Sequence, residues 1–279
     1  MPVRGGPPGP RREKLMRHVP AVLVIGPADP TSASGVAADV LSVARHGAYP
    51  LSVVSEICLR DTTHFDSRVA LDPELVVDQA RMILEDVPVA AIKLSVPGSV
   101  GLTAALAALA ADYGEVPLVL EAPSVMLHED DADDSPLAAA VELLLPQAVA
   151  LVADAGVCRR LVAASFDGDE STLRVEDLGA ALCATGVEHV LVLGAPAGGQ
   201  VVHLLHGRDG VLRRDAFARA PQPVLGLSSS VAAALAAALA GGGAVVASVP
   251  AALHFAHQAE ARALRLGMGT AVADRGAGA

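Results

Sequence analysis

Short apolar runs alternate along the chain with stretches whose apolar residues recur every third or fourth position. Val22 to Ile25 is the first run and predicts a buried strand. Gly26 to Ser34 follows, rich in turn-forming prolines and hydroxyls. From Gly35 to His46, Val36, Val40, Leu41 and Val43 fall on one helical face, and Gly47 stands where a helix-ending glycine belongs. Strands are predicted at Pro50 to Ile57, Val89 to Val96, Val116 to Glu121, within Leu144 to Ala155, and at His189 to Leu193. Helices are predicted at Pro73 to Asp86, from Gly98 or Ser99 to Asp112, at Pro136 to Leu145 and at Leu173 to Thr185. Gln200 to Leu205 and Gly210 to Phe217 read as an outer meander, and Pro223 to Ala240 holds a long alanine helix. Ser228 to Val249 carries no charge, but Gly241-Gly242-Gly243 interrupts it, so it reads as a buried helix and a turn rather than a membrane span. Strands alternating with helices predict an α/β fold: a mostly parallel central sheet with helices on both faces.

Composition narrows the picture. The 279 residues suit one large domain, expected over 19–279, behind a basic, Pro/Gly-rich leader at 1–18 that is expected to be disordered. A formal net charge of −11 argues against a nucleic-acid partner. Only two lysines occur, Lys14 and Lys93, so arginine or backbone must supply most of any anion site. Three scattered cysteines point to a reducing compartment, hence a cytoplasmic protein.

The candidate chemistry starts at the first strand, loop and helix. Neither phosphate-loop fingerprint is present, yet a Gly/Ser loop running into a helix can offer backbone N–H groups to a polar ligand. Asp39 lies on a mostly apolar helix and needs a partner. Glu121 ends a strand, a usual site position in an open α/β sheet. The acidic run His128 to Asp134 reads as a solvated loop. His203 and His206 fall on a strand and point to opposite faces, which makes a poor metal pair. His254 and His257 share a helical pattern without a visible third ligand. At Gly226-Leu227-Ser228-Ser229-Ser230 a turn opens the alanine helix; its N–H groups can hold an anion, or a serine simply caps it.

Gly26-Pro27-Ala28-Asp29-Pro30-Thr31-Ser32-Ala33-Ser34-Gly35-Val36-Ala37-Ala38-Asp39 resembles the opening motif of the hydroxymethylpyrimidine/phosphomethylpyrimidine kinases of thiamine biosynthesis, G-S-D-P-S-G-G-A-G-I-Q-A-D. The resemblance runs from residue 21 to about 270. It implies a ribokinase-like three-layer fold, ATP and Mg2+ as cofactors, a small pyrimidine substrate and a homodimer. It places Asp39, Arg60 and Val96 at the pyrimidine. Arg60 stands where the family has a glutamine; a guanidinium only donates, whereas an amide donates and accepts. Arg60 is otherwise a solvated residue paired with Asp61. Glu121, Asp154 and Gly194 fall at the nucleotide and magnesium side. Gly226, Ser228 and Ser229 fall at the phosphoryl-holding turn, with Ser229 in place of the family's Cys or Asp base.

Five departures accompany that match: Pro27, Ser32-Ala33, Val157, Leu193-Gly194-Ala195-Pro196 and Ser228-Ser229. A neutral serine is a poor base at pH 7 without a base of its own. The resemblance therefore implies either ATP-dependent phosphorylation of the thiamine pyrimidine precursor, or an inactive relative that binds a pyrimidine as a sensor or partner subunit.

Overall fold

The computed structural model describes residues 18–124, 135–165 and 173–276. A nine-stranded sheet runs in the order β3-β2-β1-β4-β5-β6-β7-β8-β9. Its parallel centre is β2 (Tyr49–Arg60), β1 (Ala21–Ala28), β4 (Val89–Ser95), β5 (Leu118–Ala122), β6 (Ala150–Asp154) and β7 (Val190–Ala197). β3 (Phe65–Ala70) pairs antiparallel at one edge. β8 (Gln200–Gly207) and β9 (Gly210–Ala218) form an antiparallel meander at the other, as their alternation predicts.

Two layers of helices enclose this sheet. α1 (Gly35–Arg45), α7 (Leu227–Ala240) and α8 (Val245–Ala261) cover one face; Val43, Val231 to Ala237 and Leu253 are buried there. α2 (Pro73–Asp86), α3 (Val100–Asp112), α4 (Pro136–Ala139), α5 (Ala155–Ala163) and α6 (Val175–Cys183) cover the other, around Leu102, Leu106, Leu161 and Leu178. The three-layer expectation therefore holds. A short parallel pair, β10 (Val224–Leu225) and β11 (Ala271–Val272), ties the chain end to the start of α7. α7 is apolar all round because it is buried all round, from Ser229 to Ala237. Among the described residues no helix is long and apolar enough to cross a membrane.

Four elements differ from the pattern reading. β3 has no strand signature: Phe-Asp-Ser-Arg-Val-Ala is half polar, and an edge strand needs only one partner. β2 and β7 run on past their apolar runs, to Arg60 and Ala197. The helix expected to Leu145 keeps α geometry only to Ala139; a wide turn spans Ala140–Leu144 and a tight one Leu145–Gln147, because Pro146 cannot donate to a preceding carbonyl. The leader and the acidic run at 128–134 lie outside the described residues, apart from His18.

Candidate active site

The parallel strands all end on one side of the sheet. Chain order reverses at β1, which is flanked by β2 and β4, and ligand crevices form outside strand ends at such a point. The loop after β1 is built by Asp29. Its carboxylate accepts from the Thr31 N–H (2.9 Å) and hydroxyl (2.7 Å), and from the Ser34 N–H (3.1 Å) and hydroxyl (2.8 Å). Gly35 closes the loop with φ +68°, and a side chain there would strike the Pro27 carbonyl.

Behind this loop the sheet presents Lys93 and Ser95 of β4 and Glu121 of β5 to the face covered by α1 and α7. Lys93 is fully buried. Its ammonium donates to Asp39 Oδ2 (2.7 Å), Ser95 Oγ (2.8 Å) and Glu121 Oε2 (2.5 Å), so every donor is used. Burial pushes the Asp39 carboxyl up, and this outweighs Lys93. Glu121 goes the other way: burial raises it, but Lys93 and the Ser228 and Ser95 hydroxyls hold it below the usual range. Burial opposes the charge on Lys93, yet the two carboxylates keep its pKa above the ordinary value.

Three consecutive serines at the start of α7 complete the cluster. Each residue of a helix is rotated about 100° from the last, so the three hydroxyls part company. Ser228 donates to Glu121 Oε1 (2.9 Å), Ser229 to Asp39 Oδ1 (2.7 Å) and Ser230 to the Gly226 carbonyl (2.7 Å). None caps the helix; the cap is Gly226, at φ 107°. The simple serine cap is thereby replaced by a left-handed glycine turn. Arg275 packs beneath that turn, nearly buried. It donates to Ser230 Oγ (2.8 Å) and to the carbonyls of Ser32 (3.1 Å), Ala33 (2.7 Å) and Gly226 (2.9 Å). The chain end thus fastens the first loop to the start of α7.

A cavity of about 290 Å³ opens over this framework, between the first loop, the end of β2, the end of β5 and the α7 turn. Arg60, Glu121, Gly226 and Ser228 line it, with the hydroxyl residues Ser34, Thr62, Ser124 and Thr270. Four of the residues singled out from sequence therefore meet in one place. Arg60 is held loosely, by Asp29 Oδ2 at 3.5 Å and the Asp61 carbonyl at 3.4 Å; it is not the solvated partner of the Asp61 carboxylate, because its ion pair is with Asp29 and its side chain lies against the cavity. Asp39 and Ser229 lie just below the cavity and do not line it; both carboxylate oxygens of Asp39 are taken by Lys93 and Ser229. Val96 is buried in the core, with its carbonyl accepting from Arg68.

The other half of the strand-end edge is different. Asp154 caps α5 by accepting from the Val157 N–H at 2.9 Å. Gly194 is exposed, and its N–H donates to His203 Nδ1 at 3.1 Å. That bond leaves the proton of a neutral His203 on Nε2, which lies 2.7 Å from His257 Nε2. His257 in turn presents Nδ1 to Glu260 at 2.8 Å. Gly194, His203, His257, Glu260, Arg219 and Gln222 border a second cavity of about 380 Å³. His206 does point to the opposite face, against α6. Among the described residues no three His, Cys, Asp or Glu side chains gather as a metal site. Asp154 accepts one backbone bond through Oδ1, and Glu121 accepts from Lys93, Ser95 and Ser228.

Sequence reasoning counted Lys93 without giving it a role, and passed over Ser95 and Arg275. A lysine inside the apolar run Val89 to Val96 was the available signal, because a buried ammonium requires acids. Arg275 gave none.

An open parallel sheet between two helical layers, with a cavity at the strand ends and a glycine turn opening a buried helix, defines the ribokinase-like class. Within it, the chain belongs to the phosphomethylpyrimidine kinase family, which matches residues 29–274. A hydroxymethylpyrimidine/phosphomethylpyrimidine kinase from Streptomyces coelicolor is 28% identical over 92% of this chain and 94% of its own length. One from Rhizobium meliloti is 27% identical over 88% and 92%. Among solved structures, an ADP complex of Bacillus subtilis pyridoxal kinase superposes with a TM-score of 0.82 at 17% identity, covering 92% of this chain and 98% of that one. A phosphomethylpyrimidine kinase from Clostridium difficile gives 0.68 at 17% identity, over 86% and 99%. At that identity the two structural likenesses are of fold.

Proposed function

We propose that the chain is an ATP-dependent kinase of the phosphomethylpyrimidine type, phosphorylating the pyrimidine precursor of thiamine. The observation that carries this is the 290 Å³ cavity, where the Gly226–Ser228 turn, Glu121 and Arg60 converge at the strand ends of a chain of this family. Phosphoryl transfer is chiefly positioning and charge neutralisation. In this reading the hydroxyls and Arg60 hold the ring edge, and the free N–H groups at the start of α7 receive the phosphoryl oxygens. Asp39 acts from below, by fixing Ser229 and Lys93. The nucleotide occupies the second cavity, beside Gly194; neighbouring pyridoxal kinase structures contain ADP or AMP-PCP. Magnesium, when bound, neutralises phosphate charge.

A second reading has its own support. Ser229, at the family's base position, is turned to Asp39 and away from the cavity. A relative without its base would bind the pyrimidine and not turn it over. In either reading we place the protein in the cytoplasm as a homodimer, which sedimentation of the purified chain tests.

The deciding experiment measures ADP release with hydroxymethylpyrimidine as acceptor, beside thermal shifts with each ligand. Pyrimidine-dependent ADP release is the expected result, with Arg60→Gln altering KM for the ring. Stabilisation by the pyrimidine with no shift and no turnover from ATP would establish the binding module instead.

A further inference from the structure

If the chain is a kinase, the acceptor hydroxyl must lose a proton, and Ser229 is turned into the core. Its neighbour is not. Ser228 lines the cavity and donates to Glu121 Oε1 at 2.9 Å. Glu121 lines the same cavity although only 1% of it is exposed. Its two oxygens have separate duties: Lys93 and Ser95 occupy Oε2, and among the described residues Ser228 is the one side chain bonded to Oε1. Gly226, with its positive φ, precedes α7, whose first N–H groups, like those of any helix, have no carbonyl of their own helix to bind. A hydroxyl paired with a carboxylate thus stands beside donors suited to phosphoryl oxygens.

We propose that Ser228 and Glu121 together accept the proton of the substrate hydroxyl, a base displaced by one residue along α7. The proposal rests on the kinase reading above. The substrate O–H bond breaks as its oxygen bonds to the γ-phosphorus of a nucleoside triphosphate. The bond from that phosphorus to the bridging oxygen breaks, and the nucleoside diphosphate leaves with its electron pair. The substrate proton passes to Ser228 Oγ while the proton of Ser228 passes to Glu121 Oε1, and no atom or charge is left over. An ionised carboxylate is a weak base, but a loose transition state transfers the proton late and asks little of it. Lys93 supports the arrangement by holding Glu121 ionised between turnovers.

The experiment uses the full chain with ATP and hydroxymethylpyrimidine and separates kcat from KM. Ser228→Ala and Glu121→Gln should each lower kcat by about 10²-fold or more, with KM for the pyrimidine little changed. Ser228→Thr, which keeps the hydroxyl, should recover most of the loss. The fall of kcat on acidification, as Glu121 takes a proton, should be absent from Glu121→Gln. Should that variant fail to fold, Ser228→Ala and Ser228→Thr carry the test, since among the described residues the Ser228 hydroxyl is bonded to Glu121 alone. A wild-type kcat in Ser228→Ala overturns the proposal and leaves the kinase reading standing. So does a larger loss in Ser229→Ala than in Ser228→Ala. A wild-type chain that transfers no phosphate overturns both.

Discussion

Lys93 and His206 are both sealed inside the protein, on opposite sides of one sheet, and their surroundings could hardly differ more. Lys93 has three donors and three acceptors within 2.8 Å, two of them carboxylates. His206 has two ring nitrogens and, among the described residues, a hydrogen-bond partner for neither. Arg275 falls between them: a buried cation whose four acceptors are three carbonyls and a hydroxyl, all neutral. The first group sits under the candidate cavity, the second under an ordinary helix. A charge buried in a low dielectric persists only where its surroundings complete it. A neutral imidazole is tolerated with far less. Full satisfaction is therefore what the buried charge at Lys93 requires and the neutral ring at His206 does not.

The largest effect comes from breaking the completed cluster. Lys93→Met removes the one cation between Asp39 and Glu121 and leaves two carboxylates buried without it. Breaking one partner out of such a set costs about 3–5 kcal/mol, so denaturant unfolding should show a midpoint far below the wild type. A loss under about 1 kcal/mol would mean that Asp39 and Glu121 are solvated, and the contrast with His206 would lose its basis.

His203 offers the next largest effect, driven by pH. Burial, with the neighbouring His257 adding to it, lowers its pKa from 6.5 to about 4. Asp215, on β9, acts the other way. Between those values the unfolded chain binds a proton that the folded chain does not, so stability falls as pH drops through that window. The full difference is about 3 kcal/mol by linkage. Protonation also places two N–H groups face to face, because Gly194 already donates to the far nitrogen. His203→Gln should flatten the stability curve between about pH 6 and pH 4. A curve as steep as the wild type's would assign the acid sensitivity to other groups.

Arg275→Lys tests the intermediate case. One ammonium cannot replace a planar fork that reaches Ser230, Ser32, Ala33 and Gly226 together. Two or more of those acceptors would be stranded, a loss of about 2 kcal/mol, readable as a lower Tm. An unchanged Tm would show that β10 and β11 hold the chain end without the guanidinium.

Much of this architecture can be read before any coordinates. The α1 helix ends where Gly47 predicts, and the meander and the buried α7 follow from alternation and from uniform apolarity. The apolar core around β1 needs nothing beyond pattern. What sequence does not carry is direction and distance. Ser228, Ser229 and Ser230 are chemically identical in a row, and only their positions around α7 decide which meets Glu121, which meets Asp39 and which meets Arg275. Asp39 asks for a partner, but Lys93 is 54 residues away. The chain-end arginine lies outside every local motif. Edge strand β3 is silent because its exposed side tolerates any residue.

The smallest effect sharpens the comparison from the other end. His206 packs its ring against Gly179, where even a methyl group would collide with it. Burial lowers its pKa, so the ring is neutral and keeps both nitrogens dry. A buried polar group without a partner forfeits its hydration and gains nothing in return, about 1–3 kcal/mol. His206→Leu supplies an apolar side chain of similar reach, still facing the glycine. Part of the gain is offset by the changed shape, which costs up to about 1.5 kcal/mol. A net stabilisation near 1 kcal/mol is therefore expected, seen as a rise in the denaturant midpoint at constant slope. The same substitution at Lys93 would be strongly destabilising. If His206→Leu instead lost as much stability as Lys93→Met, the imidazole would have to be completed by a group such as a buried water, and the two sides of the sheet would be alike after all.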